Sequence, residues 1–238
     1  MAMVTLSEAI EFVRTRLDEV AADSSDNLAA EIDDTNLELT VEKLLPESVE
    51  YVHRTGPREL VAPVAETLTD LSDGVTATRE SDNSLDITFA ATLHVMRILS
   101  FRAWDSPYVV TQPVDEDSPV GRMQQDKWVH GRPDSPVLVL RAEAKNGNPH
   151  LRYHSLSAAR EEVGEAYFSM DYVPYPALRT EGTATGYNTS DVLRMSVLND
   201  LTGRVMTVYG WQQAQAYLEL SGVYAGNGPA GKSLEQQE

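Results

Sequence analysis

Two histidines four residues apart, in His150-Leu151-Arg152-Tyr153-His154, come nearest in this chain to a spacing that does chemistry. On a helix such a pair shares one face and can ligate a single ion. The setting reads as a strand, however, because Asn146-Gly147 and Pro149 lead into it. On a strand the two imidazoles stand about 13 Å apart, too far for one ion. The acidic run Asp115-Glu116-Asp117 offers oxygen ligands for a divalent cation, but Pro113 and Pro119 flank it and favour a solvated loop. His94 and His130 are isolated beside apolar or aromatic residues, the usual setting of a packed or surface histidine.

Other reaction classes find even less. The chain has no cysteine, which excludes disulfides and thiolate metal sites. No Gly-x-Ser-x-Gly elbow and no phosphate-cradling glycine loop ending in Lys-Ser or Lys-Thr occurs, and the glycines around Gly226 precede nothing helical. Trp104, Trp128 and Trp211 are not interleaved with basic residues, so a base-stacking platform is not expected. With 19 Lys and Arg against 37 Asp and Glu, the net charge of −18 disfavours general affinity for phosphate backbones. The excess is uneven: residues 1–60 hold 14 acids and 5 bases, which points to one acidic face. No catalytic, cofactor or metal site is therefore expected. Two alternatives stay open: a metal-dependent hydrolase using His150, His154 and the Asp115 loop, and a carbohydrate- or partner-binding β-module.

The elements follow from hydrophobic period. Thr5-Leu6-Ser7-Glu8 fits a capping box, and Leu6, Ile10, Val13 and Leu17 place a helix over about 7–21. A second begins near Asp34 with Leu37, Val41, Leu44, Leu45, Val49 and Val52 on one side, Pro46 kinking it or starting it afresh, and Gly56-Pro57 ending it. From Val61 the pattern turns to short β-prone runs: 75–78, 85–89, 95–101, 108–111, 137–141 and 151–153. Asn146-Gly147 signals a hairpin, with Pro149 close for a two-residue turn. Helices return after Asn188, on Val192, Met195, Leu198, Thr202 and Val205 and then over 211–220, with Gly203 and Gly210 blurring the boundary. The expected fold is α+β: a helical bundle from 1–60 and 188–224, an inserted β-rich module over 61–187, and a flexible tail over 225–238. No stretch approaches the roughly 20 apolar residues of a membrane span, and the N-terminal MAMVTLSEAIEFV has no basic leader ahead of a long apolar core, so no secretory signal is expected.

One combination of residues points to a family. The run Val95-Met96-Arg97-Ile98-Leu99-Ser100-Phe101 is followed by Trp104-Asp105-Ser106-Pro107 and Gln124-Gln125-Asp126-Lys127-Trp128. Gly131-Arg132-Pro133, Pro136-Val137 and Leu151-Arg152-Tyr153-His154-Ser155 complete the set. In this order they resemble the head-to-tail adaptor, or ring, proteins of short-tailed phages, those of crAss-like phages in particular, over roughly Asp34 to Gly222. The aromatic and proline-rich 167–176, YFSMDYVPYP, departs from the pattern, as does the acidic first helix.

The resemblance implies a non-enzymatic virion protein at the head-to-tail junction, assembled in the host cytoplasm. It implies one subunit of a twelve-fold ring of identical copies, bound to the portal protein and to other ring or tail proteins. DNA would pass through its channel during ejection without specific binding, and an acidic lumen would not trap it. In a head-to-tail ring each subunit shows different surfaces to its two neighbours. On that reading Phe101, Trp104, Tyr108 and Val110 are candidate interface residues between subunits or rings.

Overall fold

Thr5 Oγ1 accepts the Glu8 N–H at 3.2 Å, and the first helix, α1 (Leu6–Asp23), starts there. The capping arrangement works as its residues dictate: a side-chain oxygen satisfies an N–H that has no partner inside the helix. A computed structural model describes residues 2–23, 33–69, 74–82, 84–103, 107–126, 128–132, 134–155 and 168–224. The chain is mixed α/β and divides into two units, Met1–Val64 with Pro176–Glu238, and Ala65–Tyr175. The expected tail over 225–238 lies outside the described residues.

In the first unit, α2 (Asp34–Thr55) buries Leu37, Val41, Leu45, Val49 and Val52, a stripe at spacings of three and four. Pro46 sits inside the helix without ending it, and the single turn α3 (Arg58–Val61) follows. The helix α5 (Arg194–Val208) is different. It buries residues on nearly every side, among them Val197, Leu198, Leu201, Thr202, Val205 and Met206, while Val192 just before it stays exposed. A helix buried on nearly every side sits at the centre of its unit, and α5 contacts α1, α2 and α6 (Ala214–Tyr224). Gly203 lies within α5 because α6 comes so close: a Cβ there would meet Leu218 Cγ at 2.7 Å. Gly210, at φ +72°, ends the helix in the left-handed conformation glycine adopts freely, with the Trp211 N–H on the Met206 carbonyl at 2.9 Å.

This unit also holds three strands that periodicity does not predict. They are β1 (Ala2–Thr5), β10 (Arg179–Glu181) and β11 (Ala184–Thr189), in the order β1-β11-β10 and antiparallel. The boundary expected at residue 187 thus falls earlier, since the chain from Pro176 belongs with the helices.

The second unit carries two sheets. One has the order β2 (Glu66–Leu68), β9 (Phe168–Pro174), β5 (Val95–Ala103). The other runs β3 (Val75–Arg79), β4 (Leu85–Phe89), β8 (Leu151–His154), β7 (Val137–Leu140), β6 (Val114–Asp115), antiparallel except for β6 beside β7. The core joins both sheets through Ile87, Phe89, Val95, Phe101, Leu138, Leu151, Tyr153 and Met170. The aromatic, proline-rich 167–176 stretch supplies β9, the central strand of its sheet. Residues 108–111 form no strand beyond the bridge of Val110 to Phe101.

Asn146 and Gly147, at φ 56° and 76°, form the left-handed pair of a two-residue hairpin turn closed by Lys145 and Asn148. Pro149 does not disturb it because the closing N–H groups are those of Lys145 and Asn148. The turn is also tied down: Asn148 Oδ1 accepts the Val95 N–H at 2.6 Å, and its Nδ2 donates to the Ala90 carbonyl at 2.8 Å.

Candidate functional site

The antiparallel register of β4 and β8 pairs Leu85 with Tyr153. It therefore brings the turn before β4 to the C-terminal end of β8, and Asp82 in that turn reaches His154. Ser84 fixes Asp82, donating its N–H and hydroxyl to Oδ1 at 3.0 and 2.5 Å. Arg152 donates from Nε to Ser84 Oγ at 2.8 Å and holds a second nitrogen 3.5 Å from Asp82 Oδ2.

His130 comes from the segment after the short helix α4 (Pro119–Met123), which Ser118 caps by accepting the Gly121 N–H. Gln124 then accepts the Gly131 N–H through Oε1 at 2.7 Å. That brings Gly131 onto β8 and places the His130 ring edge-on to His154, with centroids 5.3 Å apart. Asp82, His130 and His154 each offer an atom within 4.8 Å of the other two, and both histidines are buried. They form the one such trio of metal-ligating side chains among the described residues.

Electrostatics keep His154 and Asp82 in ligand form. Burial, reinforced by His130 and Arg152, pushes His154 down to about 4, so its ring is neutral at pH 7. Burial pulls the Asp82 carboxyl upward, but the Ser84 hydrogen bonds and the Arg152 charge outweigh it and hold it below the ordinary carboxylate range. The buried Nδ1 of His154 has no hydrogen-bond partner. An orphaned lone pair or N–H at that depth costs about 1–3 kcal/mol unless something satisfies it.

The residues singled out from sequence distribute differently. His150 does not join His154: its Nε2 lies 2.6 Å from Asp86 Oδ1, in a pair that also takes Lys145 at 3.3 Å. In the Asp115 run the carboxylates face arginines, with Glu116 on Arg141 at 3.1 Å and Asp117 3.9 Å from Arg122. Phe101 is a correction. It is buried inside its own unit, 5.3 Å from the Tyr153 ring, and cannot face a neighbouring subunit. Val110 also packs on that core, through the bridge to Phe101. Trp104 lies outside the described residues. Tyr108 is exposed, as are Val109, Val120, Met123, Val129 and, at 78%, Trp128.

Comparison with known proteins adds no assignment. No protein-family model and no curated protein matches the chain.

Sequence reading missed Asp82 and His130 because neither has a metal-like spacing to His154. The usable signal lay in the hairpins, since pairing 75–78 with 85–89 and the latter with 151–153 would have brought Asp82 beside His154. Nothing local announces His130.

Proposed function

We propose that the chain is a structural subunit of a ring-forming head-to-tail connector, joining the portal vertex of a virion to its tail and lining the DNA channel. The class comes from the resemblance of the ordered segments between Asp34 and Gly222. The observation that carries it is the display of large apolar side chains between Tyr108 and Val129. Trp128 alone leaves 78% of its surface exposed, and Val129, Met123 and Val120 are exposed in the same segment. Single exposed apolar residues are ordinary on a monomer, but a tryptophan almost wholly in water is costly unless a partner covers it. In a cyclic ring that partner is the next copy of the chain or the adjoining ring.

Two further features support the reading. Helices α1 and α2 from the first quarter of the chain contact α5 from the last, which is compatible with the terminal-helix bundle that the resemblance implies. The net charge of −18 suits a channel wall along which a polyanion slides. Among the described residues no helix is long and apolar enough to cross a membrane.

Light scattering and negative-stain imaging of the purified chain, alone and mixed with portal and tail proteins of a short-tailed phage, test this. Closed rings, or stoichiometric binding to a portal, are the expected result. A monomer under every condition, with no portal or tail binding, overturns it.

A further inference from the structure

We infer that Asp82, His130 and His154 bind one divalent transition-metal ion, zinc by the character of the donors, and that this ion pins three segments of the second unit together. The inference does not depend on the connector reading.

The donors set the ion class. Two imidazoles and one carboxylate suit zinc, cobalt(II) or iron(II), whereas calcium and magnesium take oxygen ligands. Tetrahedral bonds of about 2.1 Å put donor atoms roughly 3.4 Å apart. The three atoms lie within 4.8 Å of one another, so a modest side-chain rotation brings them to that spacing. Asp82 can present Oδ2 to an ion while Ser84 holds Oδ1, because its side chain retains 36% of its exposure and sits on a turn. His154 is 4% exposed and carries a buried Nδ1 with no partner, the polar atom a bound ion would satisfy directly.

The competing cation is Arg152, which already approaches Asp82 Oδ2. At 3.5 Å that contact is loose, and Ser84 also engages Arg152, so the carboxylate can swing to an ion without stripping the guanidinium of partners.

What the ion would accomplish follows from where its ligands sit. Asp82 belongs to the turn between β3 and β4, His154 ends β8, and His130 lies on the irregular segment two residues after Trp128. A single ion therefore fixes a stretch of chain with little regular structure to the end of β8, the central strand of the five-stranded sheet. Three protein ligands leave a fourth position for water, on the side where Asp82 meets solvent.

The test uses the full chain, stripped with a chelator and desalted. Zinc chloride is titrated calorimetrically and cobalt(II) chloride is followed by visible absorption. One ion per chain is expected, with an intense tetrahedral cobalt spectrum and a rise in melting temperature. His130→Gln and Asp82→Asn should each weaken zinc at least tenfold and abolish the cobalt spectrum, while His150→Gln leaves both unchanged. The acidic surface gives a background of weak binding, and the variants share it. No stoichiometric site in the wild type overturns the proposal, as does equal affinity in wild type, His130→Gln and Asp82→Asn. Should His130→Gln fail to fold by circular dichroism, Asp82→Asn decides alone, since its residue lies on a partly exposed turn.

Discussion

Gly131 lies against the backbone of His154. A Cβ built on Gly131 would come 2.3 Å from the His154 carbonyl oxygen and 2.9 Å from the Val137 nitrogen. Both are main-chain atoms of a paired β7–β8 edge, so neither can turn aside as a flexible side chain would. Glycine is required here by close approach of two backbones, and the approach is what sets His130 beside His154.

Gly131→Ala should therefore cost at least about 2 kcal/mol of stability, because the added methyl displaces backbone rather than a rotamer. Urea unfolding followed by circular dichroism measures it. A variant with an unchanged midpoint would mean that the 131 segment is not seated on β8.

Which features were legible in the sequence follows from how far apart in the chain their causes lie. The caps and stripes of α1 and α2 depend on residues three or four apart, and Leu37, Val41, Leu45 and Val49 are buried as their spacing requires. The Asn146-Gly147 turn is equally local. The strands β1, β10 and β11 were not legible, because Ala184-Thr185-Gly186-Tyr187-Asn188-Thr189 carries little β propensity and pairs with the first residues of the chain. The apolar run of β5 misled for a different reason. Its buried residues do not alternate, because the pairing with β9 shifts register between Val95 and Arg97 and again between Ile98 and Ser100. Consecutive residues from Ile98 to Phe101 are thus buried, Ile98 and Phe101 in the core of their own unit, and Phe101 needs no neighbouring subunit to cover it. His130 and His154 stand 24 positions apart and meet only because Gly131 permits it.

Phe101→Ala should behave as a core truncation. The ring is 1% exposed and tilted at 52° to Tyr153, linking the three-stranded sheet to the five-stranded one. Losing it should cost about 3–5 kcal/mol, from lost transfer energy and the cavity left behind. Denaturant unfolding gives the value. A loss below about 1 kcal/mol would return Phe101 to the surface residues.

His53 gives the first unit an acid-sensitive point. Its ring is buried near Thr189, with Nε2 3.2 Å from Oγ1, and burial pushes it down to about 4. Between 6.5, the unfolded value, and about 4 the unfolded chain takes up a proton that the folded chain refuses. Stability therefore falls as pH drops through that window, by up to about 3 kcal/mol, and is regained as pH rises above 6.5. Asp200 acts in the opposite sense: burial raises its carboxyl against the pull of Arg204, so the folded state holds its proton more readily as pH falls. Comparing wild type with His53→Gln isolates the histidine. The wild type should lose more stability between pH 7 and pH 4.5 than the variant does, and parallel pH profiles would contradict a neutral buried His53.

Trp128→Ala separates folding from association. The indole is 78% exposed, and the residue's backbone N–H donates to Asp126 Oδ1 at 2.9 Å, a bond that alanine keeps. Removing so exposed a side chain should leave the free subunit within about 0.5 kcal/mol of wild type. In an assembled ring the same residue would be a large aromatic anchor in a desolvated contact, where truncation costs about 2 kcal/mol or more, some thirtyfold in affinity. Thermal melting should thus show coincident curves for wild type and variant, while sedimentation velocity shows the variant dissociating at markedly higher concentration. Tyr108→Ala, at a second exposed aromatic of the same unit, should weaken assembly in the same direction. If both variants assemble as wild type does, the segment from Tyr108 to Val129 faces solvent in the particle and the ring contact must lie elsewhere. If Trp128→Ala melts several degrees early, the indole is covered by this chain itself, and its exposure no longer argues for a partner.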